Sequence, residues 1–376
     1  MTKVMTIVGT RPEIIKMSRV ISQFDKFVKH ILIHTGQNYD DNLSDIFFKG
    51  LNIRPPDVYL NIENKNFANF IGQLIIKIDE QFEQQKPDAL LIYGDTNSCL
   101  SAIVAKRRKI PIFHMEAGNR AFDQRVPEEI NRKIIDHISD INFVLSEHAR
   151  HNLISEGIRH NRIIKTGSHL KEVINFHKKQ IEDSSILRKL GLKHGKYFLV
   201  SIHREENVDN DTNLLNLLKS LELVYNKYNL PIIVSTHPRT KNKIMSLLFD
   251  YDKNNIRFLD PFGYIDYIKL QTNSYCVISD SGTITEEASL LRFPAITVRE
   301  SHERPEGVDG GVLIMSPMEP NSIVEAINIV TSQHLIMGES GQRVSDYEEE
   351  LVSVKILRAV ISNIEVINKM VWYKKQ

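Results

Sequence analysis

The chain has 376 residues, 41% apolar and 25% charged, a length that favours two domains and a composition ordinary for a soluble globular enzyme. Its 48 basic and 47 acidic residues leave a net charge of +1, so no global field points to nucleic acid or an anionic membrane as partner, and the Lys106-Arg107-Arg108-Lys109 cluster reads as the solvated end of a helix. The two cysteines, Cys99 and Cys276, lack CxxC or Cys/His spacing, no charged leader precedes the first strand, and no apolar run approaches a membrane span, all of which fits a soluble, cytoplasmic protein.

In chain order, short apolar runs alternate with helical patterns. Val4 to Val8, Ile31 to His34, Ala89 to Tyr93, Ile112 to Met115, Ile141 to Leu145 and Ile163 to Lys165 read as strands. Between them lie helices over Pro12 to Phe24, Phe67 to Gln84, Ser98 to Arg108 and Glu128 to Ile138. The last of these has Ile130, Ile134, Ile135 and Ile138 on one stripe, which puts Glu128 and Arg132 on another face. After Gly167 comes a Lys-rich helix (Lys171 to Ile181), and the alternation restarts at Tyr197 to Ile202. Strands follow at Ile232 to Ser235, Ile256 to Leu259, Cys276 to Ser279, Ala295 to Val298 and Val312 to Met315. Strands alternating with helices mean parallel sheets. The expected fold is α/β, two Rossmann-like domains facing across a cleft: 1–168 and 169–353, with a last helix over about 354–376 available to pack back on the first domain.

Two turns carry the chemistry. Gly9-Thr10-Arg11-Pro12-Glu13 follows the first strand and opens a helix bearing Arg11 and Lys16, a helix N-terminus aimed at an anion. Ser279-Asp280-Ser281-Gly282-Thr283 is a similar turn in the second half, and the pair suggests one nucleotide between two domains. In open α/β sheets ligands sit beyond the carboxyl ends of the strands, which directs attention to Asp95, to Glu116 and to His203-Arg204. One at a time these have other readings: Asp95 as a helix N-cap, Glu116 as a surface carboxylate, His203 as a loop histidine. Together with Glu128 they form the pieces for acid–base work on an anionic nucleotide, with Arg11, Lys16, Arg204 and Arg304 able to hold a diphosphate. No GxGxxG, Walker A, helical HxxxH or close Asp/His set is present, so neither a nicotinamide cofactor nor a metal is expected.

The segments GTRPEIIK, YGDTNS, HMEAGNR, PEEINR, IHREEN, SDSGTITEEA and ERPEGV resemble, in order and over nearly the whole chain, the motifs of the non-hydrolysing UDP-N-acetylglucosamine 2-epimerases. The resemblance implies a glycosyltransferase B type architecture, a homodimer, no cofactor, and a reaction by elimination and re-addition of UDP. By motif position it makes Asp95, Glu116, Glu128 and His203 catalytic. It makes Arg11, Ser281, Gly282, Glu287 and Arg304 nucleotide-binding, with Tyr267 stacked on uracil, and Thr283, in the same glycine turn, is expected to join them.

Three departures are informative. The loop Asn119 to Val126 is shorter than usual, Asn38-Tyr39-Asp40 replaces a histidine of the family's allosteric site, and Thr283 stands where a second glycine is common. TGQNYD and EAGNRAFDQRVPEE resemble the subgroup that makes UDP-N-acetyl-L-fucosamine for capsule and O-antigen, whose substrate is UDP-2-acetamido-2,6-dideoxy-L-talose. The alternatives are a UDP-N-acetylglucosamine 2-epimerase, a UDP-sugar glycosyltransferase, a hydrolysing epimerase and a non-catalytic UDP-sugar sensor.

Overall fold

Buried on both faces, the apolar runs form parallel strands, as expected when helices cover each side of a sheet. The computed structural model describes all residues except 37–47, 64, 237, 247–250, 300, 302, 339–340, 342 and 375–376. The Asn38-Tyr39-Asp40 departure therefore lies outside the described residues. The chain divides into two compact units, Met1–Phe176 with Asp346–Gln376, and His177–Ser345.

The first unit contains a seven-stranded parallel sheet in the order β3-β2-β1-β4-β5-β6-β7. Its strands are β1 (Lys3–Val8), β2 (Lys29–His34), β3 (Val58–Tyr59), β4 (Ala89–Tyr93), β5 (Ile112–Met115), β6 (Ile141–Val144) and β7 (Ile163–Lys165). β1 and β4 are direct neighbours, with Val4 opposite Ala89 and Ile7 opposite Ile92. The chain order reverses between them, so this is the sheet's switch point, where such folds bind ligands. The helix Phe67–Gln85 shows why the sequence folds as it does. Asn66 caps it through Asn69 N–H at 2.8 Å, and Phe70, Leu74, Ile78 and Phe82, four apart, bury one stripe.

The second unit repeats the plan with six strands in the order β10-β9-β8-β11-β12-β13. They are β8 (Phe198–Ser201), β9 (Ile232–Ser235), β10 (Ile256–Leu259), β11 (Cys276–Ser279), β12 (Ala295–Val298) and β13 (Ile314–Ser316). Its switch point lies between β8 and β11, where Val200 pairs with Ile278. Among the described residues no helix is long and apolar enough to cross a membrane.

Four details differ from the sequence reading. The division falls inside the helix Leu170–Asp183 rather than at 168, and the returning segment starts at Asp346, ahead of its helix Val352–Met370. Polar contacts account for this: Ser168 N–H donates to the Asp346 carbonyl at 3.0 Å, and Lys165 and Lys171 pair with Asp346 and Glu348. The segment read as one helix over Ser98 to Arg108 begins as a tight 3₁₀ turn, Asn97–Ser101, before the α-helix Ala102–Arg107. The edge strand β3, two residues long, is too short to leave a periodic signature. The isoleucine stripe of the helix Pro127–Ile138 is only partly its buried face: Ile135 is buried and Ile138 packs on the core, but Ile130 is 56% exposed and Ile134 is exposed too, whereas the polar Glu129, Asn131, Arg132 and Asp136 are buried.

Candidate functional site

In the first unit the turns after β1 and β4 are built as one piece. Gly9 lies so close to the turn after β4 that a Cβ there would stand 2.0 Å from Ser98 Oγ and 2.6 Å from Thr35 Oγ1, which only glycine avoids. Glu13, in the first turn of the helix Arg11–Phe27, turns back to cap it. Its Oε2 accepts the N–H groups of Gly9 at 2.5 Å and Thr10 at 3.2 Å, and its Oε1 accepts the Thr96 hydroxyl at 2.5 Å. The side chain is buried, and no lysine or arginine among the described residues pairs with it. Burial pushes its carboxyl up from the ordinary 4.5 to about 7, with Asp95 adding to the rise and the three hydrogen bonds opposing it.

Two of the candidate acid–base groups, Asp95 and Glu116, each meet a cation. Asp95 Oδ2 is held by Arg132, whose Nε lies at 2.8 Å and Nη2 at 2.7 Å. Arg132 also binds Glu129 at 3.0 Å, and Glu129 in turn accepts the N–H groups of Ala121 and Phe122. Glu116 pairs with Lys16 at 2.9 Å, with the two side chains only 11% and 8% exposed, and Lys16 Nζ lies 5.2 Å from the centre of the Tyr93 ring. Glu116 has φ of +63°, a left-handed backbone rare outside glycine and a common mark of a strained functional position. Lys16 is thus already engaged by a carboxylate, and Arg11 stands half-buried at the helix start. Glu128 is exposed, while its neighbour Glu129 is buried. His114 is structural: it bridges the Asp136 carboxylate and the Gly94 carbonyl, both at 2.8 Å.

The second unit repeats the device at its own switch point. Asp280, fully buried after β11, accepts the backbone N–H groups of His203 at 3.1 Å and Arg204 at 2.9 Å, and the Asn207 amide at 3.1 Å. His203 Nδ1 lies 3.2 Å from the same carboxylate, yet its side chain is 54% exposed. That combination orients an imidazole toward solvent with one nitrogen fixed. Ser281 and Thr283 hydroxyls meet at 3.0 Å across Gly282, whose Cβ position would stand 2.5 Å from Glu303 Oε1. Glu303 is held by Arg299 at 2.9 Å and lies 3.5 Å from Arg204, and Arg304 pairs with Glu286 at 2.9 Å. Behind this turn is a cavity of about 170 Å³ lined by Ser281, Thr285, Thr297, Arg299 and Arg304. Tyr267 is half-buried with its phenol pushed up, by burial first and then by Glu287, which itself accepts the Gln271 amide at 2.6 Å.

Of the sequence candidates, the structure brings Lys16 to Glu116 in the first unit and His203 and Arg204 to Asp280, just before the Ser281–Thr283 turn, in the second, while Glu128 stands exposed. Sequence reasoning missed Arg132 as the partner of Asp95, Thr96 as the partner of Glu13, and Asp280, Glu286 and Glu303 as holders of the basic side chains. The only trace of Asp280 was its position directly after an apolar run. Among the described residues no group of His, Cys, Asp and Glu is arranged to hold a metal ion.

A family model described as UDP-N-acetylglucosamine 2-epimerase matches residues 22–361. The structure of UDP-N-acetylglucosamine 2-epimerase from Rickettsia bellii is similar with a TM-score of 0.92 and 53% identity, covering 100% of both chains. That of the Methanocaldococcus jannaschii enzyme in complex with UDP-GlcNAc and UDP is similar with a TM-score of 0.88 and 35% identity, over 96% of this chain and 100% of that one. The UDP-2,3-diacetamido-2,3-dideoxy-D-glucuronate 2-epimerase of Pseudomonas aeruginosa is 34% identical over 331 residues, 86% of this chain and 91% of its own.

The buried Glu13 carboxyl has a stability consequence. Its folded pKa lies above its unfolded value, so the stabilisation is complete below pH 4.5 and is lost as pH rises through about 7. Glu13→Gln lacks that loss. By urea unfolding, the wild type should lose about 3 kcal/mol relative to the variant between pH 4.5 and about 7, whereas parallel pH curves would contradict a buried, uncompensated carboxyl.

Proposed function

The chain belongs to the UDP-N-acetylglucosamine 2-epimerase family, and from that premise we propose that it inverts C2 of a UDP-linked N-acetylamino sugar. The observation that carries the reading is the pairing of chemistries at the two switch points. One edge presents two carboxylates held by cations, Asp95 and Glu116, and the other a hydroxyl-rich glycine turn with His203, Arg204 and Arg304.

The chemistry explains the need for both. The C2 proton is not next to a carbonyl, so direct deprotonation is too costly. Elimination solves the problem: a base takes the C2 proton as the C1–O bond breaks with its electron pair leaving on UDP, which gives a 2-acetamidoglycal. Re-addition of UDP at C1, with a proton delivered to the opposite face of C2, yields the epimer, and no net oxidation occurs. Asp95, Glu116 and the exposed Glu128 are the candidates for the two proton transfers. Arg11, Lys16, His203, Arg204 and Arg304 are the groups for the charge that develops on the departing diphosphate. Ser281, Gly282 and Thr283 provide the close backbone approach to phosphate, Glu287 the partner for ribose hydroxyls and Tyr267 the aromatic face for uracil. A glycosyltransferase would need the glycine turn equally, but has no use for Asp95 and Glu116.

The preferred sugar is the 2-acetamido-2,6-dideoxy-L-talose derivative, converted to UDP-N-acetyl-L-fucosamine. Supporting this, the short loop from Asn119 to Val126 is pinned through its backbone by Glu129 and leaves the Phe122 ring 75% exposed, an apolar surface suited to a C6 methyl. The second reading is UDP-N-acetylglucosamine itself, favoured by the names of the relatives; the Pseudomonas aeruginosa relative, named for a different sugar, shows that identity near one third leaves the sugar open.

The assembly we infer is a homodimer. The outer faces of the mutually packed helices Phe67–Gln85, Ala102–Arg107 and Pro127–Ile138 carry exposed Ile75, Ile76, Ile103, Ile130 and Ile134, an apolar surface that a second copy would cover.

Asp95→Asn and Glu116→Gln should keep UDP affinity by calorimetry and lose about 10²- to 10⁴-fold in turnover, because they remove proton-transfer groups and spare the diphosphate contacts. Near-normal rates in both would reject the roles. Incubation with each UDP-sugar in D2O, read by NMR at C2, tests the reaction itself. A kcat/KM for the 6-deoxy-L-talose derivative about 10- to 200-fold above that for UDP-N-acetylglucosamine supports the sugar assignment, and equal or reversed values return it to the second reading. By light scattering the wild type should have the mass of two chains and Ile130→Glu/Ile134→Glu that of one. A monomeric wild type would end the dimer proposal.

A further inference from the structure

Glu13 does more than cap a helix. A capping carboxylate needs only the N–H groups of its own turn, and Oε2 alone serves those of Gly9 and Thr10. The other oxygen reaches the Thr96 hydroxyl at 2.5 Å, on the turn after the neighbouring strand, next in sequence to Asp95. Keeping a carboxylate 3% exposed with no cationic partner among the described residues disfavours folding, and a cap alone does not require it.

We propose that Glu13 is a positioning residue for the reaction: its carboxylate clamps the turn carrying Arg11 to the turn carrying Asp95 through Thr96, and so fixes the proton-transfer carboxylate relative to the phosphate-binding turn. The proposal rests on the epimerase reading. Asp95 is otherwise oriented by Arg132 on its carboxylate and by Asn131 on its carbonyl at 2.9 Å, both from the helix Pro127–Ile138. Among the described residues only the Glu13–Thr96 bond ties its turn to the turn after β1 through a side-chain carboxylate. Misplacement of a catalytic group by about 1 Å is enough to cost on the order of 10²-fold.

The clamp is also pH-sensitive. A protonated Glu13 loses acceptor capacity on one oxygen and with it part of the three-donor arrangement. The titratable groups around it are Asp95 and Cys99 on the turn after β4, with the Cys99 thiol kept neutral by burial, and Arg11 and Lys16 on its own helix, Lys16 being engaged by Glu116. His34 ends the adjoining strand β2, and burial lowers it to about 4, so it stays neutral.

Thr96→Val tests the clamp, because it removes the bridging bond and leaves the helix cap intact. The expected result is a kcat lower by about 10- to 100-fold with the Kd for UDP unchanged within about twofold, and recovery in Thr96→Ser, which restores the hydroxyl. The wild-type kcat should rise as pH passes through about 7, and Glu13→Gln should lack that rise. Deuterium entry at C2 in the wild type is measured first. Its absence sinks the epimerase reading and this proposal with it. Wild-type exchange with an unaltered kcat in Thr96→Val, or with the same pH profile in Glu13→Gln, overturns the clamp alone.

Discussion

A buried carboxylate that accepts two backbone N–H groups and a side-chain donor, and so joins the turns on either side of a sheet's switch point, is the constraint on which both units depend. In the first, Glu13 binds Gly9, Thr10 and Thr96; in the second, Asp280 binds His203, Arg204 and Asn207. Parallel strands end in loops whose backbone donors have no ladder partner, and a buried donor left unpaired costs about 1–3 kcal/mol. One carboxylate satisfying three donors removes several such costs and locks two loops at once. Of the residues proposed for chemistry, Arg11 and Asp95 are direct neighbours in sequence of the clamped Thr10 and Thr96, and His203 and Arg204 are themselves clamped through their backbone N–H groups.

The same logic inverts the helix Pro127–Ile138. Its polar side is inside because Arg132 must meet Asp95 and Glu129, Glu129 must hold the loop at Ala121 and Phe122, and Asp136 must meet His114 and Arg120. Breaking such a pair by removing one partner strands a charge, at about 3–5 kcal/mol, so the network is stiff even where its net contribution to stability is small. Ile135 stays inside with the polar groups, while Ile130 and Ile134 are left exposed.

For an epimerase, stiffness of this kind has a chemical use. Removing a proton from one face of C2 and returning one to the other demands groups held at fixed positions through an intermediate that is free of the sugar–diphosphate bond. Glu116 at φ +63°, locked to Lys16, is consistent with a side chain whose direction has been given priority over backbone comfort.

The strands, the two parallel sheets and the order of motifs were legible in the sequence, since apolar runs bounded by turns are a local signal: β4, β5, β9 and β11 begin and end where the pattern places them. So were the family and the positions of Asp95, Glu116, His203 and the glycine turn, each directly after a strand. What only tertiary structure decided is which polar groups meet. Thr96 and Glu13 are 83 residues apart, Asp280 and His203 are 77, and nothing in either neighbourhood marks the other as its partner. The same holds for the face a helix buries: periodicity finds the apolar stripe of Pro127–Ile138, but the ion pairs of Arg132 and Asp136 set its orientation, because a buried charge must be paired whereas an isoleucine can remain exposed until another surface covers it.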